Sequence, residues 1–517
     1  MPTSDPIFKL LRFPVFESLP FTIDRGTGVM EMNPLLAKLL GLSSSTFPDA
    51  GESLINLFLD PCDRILCRES FQKLLDNQSI TCSHYARVSI YGKVFWIRLT
   101  AKPLSSHASS RMIEGSVVIY NFQEILSELL QQLDCSVRDR ETLEHFQRVL
   151  PLCQTALIEF SELYCEPDKL CLAIPEEIRS SIPVFAEPLF DGGILVAFSC
   201  TNDQPMTNLD VFSKFGKVDV NRSFISPKTD SVLEATDCRA EFLIKLSEHI
   251  PVKSGLTLAE MVHLAQAFRR DFIGLTQVFQ PQVDKNGFIG GEFLVRLADR
   301  SVSPEVFIPV LEKTTLIQPF GRWVVEYVLH QARFLEPDMK PGFKVSFNLS
   351  ACQSSDIGFV PFVKLCLKRF IISPRHLMVE LTETARPSNR DFLHEQIKSL
   401  RELGVLTAVD DFGTGYNSLE VLLQVPFDMV KFSRNFVLSV LEDSDKQRFF
   451  AKIISACHDI GLSVCAEGVE DAEMHRLLAD MGVDVFQGYC YAKPLPIQEA
   501  VSAVKQCPYV QSLKASS

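Results

Sequence analysis

Eight short apolar runs recur between residues 275 and 489, and nearly every one carries a polar or charged residue near its end. They are LTQVFQP, FIGGEFLVRL, FKVSFNLS, HLMVELTE, VLTAVDDFG, FDMVKFS, LSVCAEGVE and VDVFQGY. Helical segments such as GRWVVEYVLHQARFL and RDFLHEQIKSLREL lie among them. Runs this apolar suit strands covered on both faces. Eight of them interleaved with helices predict an α/β fold of the (β/α)8, TIM-type barrel kind.

In such a barrel the reactive groups gather where the C-terminal ends of the strands converge. The run ends supply Gln280, Glu292, Asn348, Glu380, Asp410 with Asp411, Lys431, Glu467 and Gln487. Five carboxylates, three amides and one lysine would then share one mouth. Carboxylates so close cannot all be ionised without a compensating cation. Hard oxygen donors with an Asn carbonyl suit Mg²⁺ or Mn²⁺ better than zinc. Two adjacent aspartates suggest an ion on each side of a bridging carboxylate, a pair able to clamp a phosphodiester and activate water.

Composition narrows the choice. The 51 Lys+Arg against 64 Asp+Glu leave a net charge of −13. That argues against a nonspecific nucleic-acid binder, which needs a basic face. Fifteen cysteines are present, no C-x-x-C pair occurs and the ten histidines are scattered. Reduced, buried thiols are therefore expected, with no zinc site. MPTSDPIFKLLRF lacks the apolar core of a signal peptide, and no uncharged stretch approaches the ~18 residues that span a bilayer. The expectation is a cytoplasmic protein with neither nucleic-acid nor membrane partners.

Three regions are expected. In residues 14–125, LPFTIDRGTGVMEMN reads as two strands about a turn at Arg25–Gly28, and NPLLAKLLGL as a short helix. ARVSIYGKVFWIRLTAKPL gives two strands about Gly92, and MIEGSVVIYNF a last one. This order, with the asparagine after the second strand and the late strand carrying Trp96, resembles an α+β PAS-like sensory domain. Residues 126–256 are expected to be an unassigned, partly helical region, either a degenerate regulatory domain or a signalling connector. EILSELLQQL and ETLEHFQRVLPLCQTALIEFSELY have helical spacing, whereas FDGGILVAFSC suits a buried strand. Residues 257–510 form the barrel.

The barrel motifs also carry a family resemblance. They are Glu292-Phe293-Leu294 with Arg296, Asn348-Leu349-Ser350, Glu380-Leu381-Thr382-Glu383, Asp410-Asp411-Phe412-Gly413-Thr414-Gly415, Lys431, Glu467-Gly468-Val469-Glu470 and Gln487-Gly488. The region from about Leu256 to Val504 resembles the EAL domain, the cyclic di-GMP phosphodiesterase. The resemblance implies two Mg²⁺ or Mn²⁺ ions per barrel. Glu292, Asn348, Glu380 and Asp410 would hold the first, and Asp410, Asp411 and Glu467 the second. Lys431, with Glu292 and Glu467, would serve catalysis by orienting the attacking water. Arg296, Gln280 and Gln487 would bind the substrate. Glu383 would pin the loop Asp411–Leu419, which the resemblance places at a homodimer interface. The product would be the linear dinucleotide pGpG.

The chain departs from the family pattern at Phe293, where the family has alanine. Strand alternation predicts that this side chain packs outward under a helix. Ser433 replaces an aspartate two residues after Lys431, and the same alternation predicts that both face the barrel interior. The segment between Arg296 and Phe307 is short and lacks the family's glycine. Gly290-Gly291-Glu292-Phe293 mimics part of the GGDEF signature of diguanylate cyclases, but its neighbours do not fit. The reading is a regulated cyclic di-GMP phosphodiesterase; the alternative is an EAL domain that binds cyclic di-GMP without hydrolysing it.

Overall fold

The computed structural model describes residues 19–133 and 255–516, less 50, 77, 91–92, 105–110, 121, 339–340, 351, 354–355, 382–389, 413–421 and 423–424. Between these two parts it describes Ile244 and five strands. The chain divides into two compact units: residues 1–274 with 299–315, and residues 275–298 with 316–517.

The first unit opens with β1 (Leu19–Asp24), β2 (Val29–Met32), β3 (Thr46–Phe47), β4 (Cys82–Ile90), β5 (Lys93–Pro103) and β6 (Met112–Ile119). They form one antiparallel sheet in the order β3-β2-β1-β6-β5-β4. The expected strand pairs about Arg25–Gly28 and Gly92 are present. Alternate residues of β1, namely Leu19, Phe21 and Ile23, enter the core, where Phe21 stacks on Phe71 of the helix Pro61–Leu75. Gly115 on β6 leaves room for that ring, since a Cβ there would lie 2.1 Å from it.

Five further strands follow: β7 (Thr155–Leu163), β8 (Phe185–Pro188), β9 (Gly193–Ala197), β10 (Gly216–Val218) and β11 (Phe224–Ile225). β7 is central, pairing with β9, β10 and β11. This corrects the helical reading of TALIEFSEL. Apolar residues at spacings of three and four occur there, but β-branched and aromatic residues with strand partners on both edges favour extension. The FDGGILVAFSC strand is found as β9, while the remainder of 126–256 lies largely outside the described residues.

Also in this unit, the helix Leu258–Phe272 packs on the helix Phe122–Leu130 and on β5. Trp96 Nε1 donates to Asp271 Oδ1 at 2.7 Å, and the Trp96 ring meets Phe272. Glu128 accepts from both the backbone and the hydroxyl of Thr315.

The second unit is a closed barrel of β12 (Leu275–Asp284), β13 (Gly287–Leu297), β14 (Lys344–Leu349), β15 (Leu377–Leu381), β16 (Leu406–Phe412), β17 (Met429–Phe432), β18 (Ser463–Ala466) and β19 (Val485–Gln487). All eight strand expectations hold. The strictly parallel (β/α)8 pattern needs correction, because β12 runs antiparallel to both β13 and β19. Only Lys285 and Asn286 join β12 to β13. Two residues close a hairpin, whereas a parallel crossover needs a dozen or more. Pairs from β13 to β19 are parallel. Phe293 is buried against Phe279, and the helices Ile497–Gln506 and Pro508–Ser516 pack on β12 and β13.

Candidate functional site

The inward faces of the strands form two layers. Met378, Ala408, Met429, Cys465 and Val485 make an apolar floor. Two residues further along stand Glu380, Asp410, Lys431 and Gln487 on the same strands, with Glu467 one residue past the end of β18. A strand returns to the same face every second residue, so this spacing lays a polar layer directly over an apolar one. Register adds the neighbours: Asn348 pairs with Glu380, and Gln280 with Glu292. Glu292 lies in the middle of β13 rather than at its end.

Lys431 is the hub. Its Nζ lies 2.6 Å from Glu380 Oε2, 2.7 Å from Glu467 Oε1, 3.0 Å from Glu292 Oε2 and 3.1 Å from Asp410 Oδ1. The ammonium is fully buried. Burial by itself disfavours its charge, but Asp410, Glu292, Glu380 and Glu467 outweigh that and hold its pKa well above the ordinary value. Burial raises Asp410 to about 6 and Glu467 to about 8, against the pull of Lys431. Glu380 goes well above the usual carboxylate range through burial and the charge of Glu292. Glu292 goes the other way. Burial pushes it up, yet Lys431 and donors from Gln487 and Asn348 hold it below its ordinary value.

One lysine does not neutralise four carboxylates. Carboxylate oxygens of Glu292, Glu380 and Asp410 lie within 4.8 Å of one another. Asn348 donates through Nδ2 to Glu292 Oε1 at 2.6 Å, which leaves its Oδ1 as a ligand atom. Both Asn348 Oδ1 and Glu380 Oε1 are buried with no hydrogen-bond partner among the described residues. Buried polar oxygens rarely stay unsatisfied. An all-oxygen set with these orphaned acceptors fits a hard divalent cation such as Mg²⁺ or Mn²⁺.

Asp411 differs from Asp410 in being exposed. The register of β16 against β17 shifts between Val409 and Phe412, and Asp411 takes a left-handed φ of 54°. A regular strand would send adjacent aspartates to opposite faces, and the bulge with its left-handed Asp411 interrupts that alternation. Arg296 is half-buried on the same strand face as Glu292, and its Nη1 donates to Val295 O. Glu383 and residues 413–419 of the expected pinned loop lie outside the described residues.

Ser433 requires a correction. It lies one residue past β17 as N-cap of the helix Arg434–Leu441, where its Oγ accepts from Phe436 N at 3.5 Å. The strand has ended, so the alternation argument no longer applies. The four close charged partners of Lys431 are carboxylates, and Ser433 is not one of them. Gln282 is the site residue absent from the expected set. It is buried, and its Nε2 donates to Gln487 Oε1 at 2.7 Å. Its place two residues after Gln280 was the available signal.

The fold and this mouth define a TIM-type barrel with an acidic, lysine-centred site able to accept a cation. Residues 261–494 match the EAL domain family, and this part of the chain is an EAL domain. EAL domains are metal-dependent, in keeping with the donor set. The bifunctional diguanylate cyclase/cyclic di-GMP phosphodiesterase MucR of Pseudomonas aeruginosa is 32% identical over 251 residues, covering 47% of this chain and 36% of MucR. The cyclic di-GMP phosphodiesterase PdeR of Escherichia coli is 32% identical over 222 residues, covering 42% of this chain and 33% of PdeR. The chain thus spans about a third of the length of these curated relatives. A solved PaMucR phosphodiesterase in complex with c-di-GMP is 32% identical, with a TM-score of 0.42, covering 46% of this chain and 97% of that one. No helix among the described residues is long and apolar enough to cross a membrane.

Proposed function

We propose that this protein is a cytoplasmic cyclic di-GMP phosphodiesterase that forms pGpG at a two-metal site. The observation that carries the reading is the set of four carboxylates around Lys431, with orphaned oxygens on Asn348 and Glu380 beside them. The names of its relatives agree with it. Glu292, Asn348, Glu380 and Asp410 would hold one Mg²⁺ or Mn²⁺, and Asp410, Asp411 and Glu467 a second. When bound, such ions would supply the positive charge that draws in the phosphodiester and acidifies the attacking water.

The chain's own residues do the rest. Lys431 keeps its proton and offers a buried positive charge to the carboxylates and to an incoming oxygen. Gln280, Gln487 and Arg296 bind and orient the dinucleotide, Arg296 as a phosphate donor toward the rim. The antiparallel sheet of β1–β6 is read as a PAS-like sensory domain, residues 126–256 as a connector and residues 257–510 as the catalytic domain. The active species would be a homodimer, with Glu383 supporting the loop Asp411–Leu419.

The deciding experiment incubates the full chain with cyclic di-GMP and Mn²⁺ and separates the products. Formation of pGpG that stops with EDTA is expected. Asp410→Asn, which weakens the carboxylate shared by both ions, should lower the rate at least about a hundredfold. Cyclic di-GMP binding without any pGpG would replace the enzyme by a receptor.

A further inference from the structure

Gln282 lies on β12 opposite Gln487 of β19 and is 4% exposed. The two amides and a carboxylate form a chain. Gln282 Nε2 donates to Gln487 Oε1 at 2.7 Å, and Gln487 Nε2 donates to Glu292 Oε2 at 2.8 Å and to Gln280 Oε1 at 3.1 Å. Glu292 also accepts from Asn348 and Lys431, so it acts throughout as an acceptor. An amide has one accepting and one donating end. Only the donating end of Gln487 can face a carboxylate, so its accepting end must face Gln282. If Gln487 turned over, its carbonyl would oppose the carboxylate of Glu292. Gln282, as the donor on the far side, makes that turn unfavourable.

We propose that Gln282 is a positioning residue for Glu292, acting through the orientation of the Gln487 amide, and that it sharpens the site's hold on divalent cations. The inference rests on the metal-site reading above. An apolar side chain at 282 would leave Gln487 freer to rotate and its hydrogen bond to Glu292 Oε2 less firmly held.

The test uses the full chain and Mn²⁺ alone, followed by titration calorimetry. Gln282→Met keeps the length of the side chain and removes the donor. It should weaken Mn²⁺ binding about tenfold or more, as removal of partners that orient metal ligands does, while the variant still unfolds in one cooperative transition. Gln282→Leu also removes the donor, so it should show the same loss if the first variant fails to fold. Gln487→Met should mask the effect, because Gln282 then has nothing to orient. Wild-type Mn²⁺ affinity in a folded Gln282 variant overturns the proposal, as does a loss that adds fully to that of Gln487→Met. If the wild-type chain binds no Mn²⁺, the metal reading fails, and crystal structures of the variants decide the inference. A Gln487–Glu292 contact displaced from 2.8 Å supports it, and a retained contact overturns it.

Discussion

At Lys431 burial and ion pairing oppose one another, and the count of carboxylates decides the outcome. The same weighing at other single residues yields two predictions. Ser433 acts as a helix cap through a long hydrogen bond of 3.5 Å. Ser433→Ala should therefore cost about 0.5–1 kcal/mol by denaturant unfolding, toward the low end for a lost cap. Ser433→Asp should cap as well and leave kcat within about twofold, because the residue does not support Lys431. A tenfold faster Ser433→Asp enzyme would show that the cap reaches the site. His475 is buried, with Nδ1 2.7 Å from the Tyr491 hydroxyl and its ring against Phe486 and Tyr509. Burial lowers its pKa from 6.5 to about 4. The unfolded chain then binds the proton more readily than the folded one. Stability from this residue is complete above pH 6.5, falls as pH drops toward 4 and is gone below it. His475→Gln should flatten that stretch of a stability-against-pH curve.

Individual elements show where local pattern governs and where neighbours do. The Gly290-Gly291 pair that mimics a cyclase signature is a packing requirement of the β12–β13–β14 ribbon. Gly290 has φ of 148°, and a Cβ there would lie 1.8 Å from Lys344 O on β14. Gly290→Ala should destabilise the barrel by about 3 kcal/mol, from backbone strain and separation of the strands. Unfolding within about 0.5 kcal/mol of wild type would contradict this close approach. The bulge in β16 is the converse case. Asp410 and Asp411 are adjacent, and the shifted pairing with β17 breaks the alternation that a regular strand would impose on them.

For the whole molecule, the family match and the compact units do not share a boundary. The match begins at residue 261, whereas the helix Leu258–Phe272 belongs to the N-terminal unit. Trp96 and Asp271 hold it there, with Asp271 and Phe272 both in left-handed conformations. Burial raises the pKa of Asp271, while Arg87 and the Trp96 donor pull it down. Trp96→Phe would remove that donor from a largely buried carboxylate. The expected loss is about 1–3 kcal/mol in the N-terminal unit, read as faster amide exchange in Leu258–Phe272. Unchanged exchange there would show that the indole–carboxylate bond contributes nothing.

The amino-acid sequence by itself determined the eight barrel strands, because apolar runs of strand length are local properties. It also placed Glu380, Asp410, Lys431, Glu467 and Gln487 together, since each stands near the end of an apolar run. The antiparallel β12 was written in a two-residue connection, and Gln282 in its alternation with Gln280. Only the tertiary structure decided the rest. β7 extends because partner strands flank it, against helical spacing in its own residues. Ser433 caps the helix Arg434–Leu441 because β17 ends and a helix begins there. Four carboxylates meet one ammonium because strands far apart in the chain close into one barrel. Local residue choices set direction and period, whereas charge compensation and amide orientation depend on which distant atoms become neighbours.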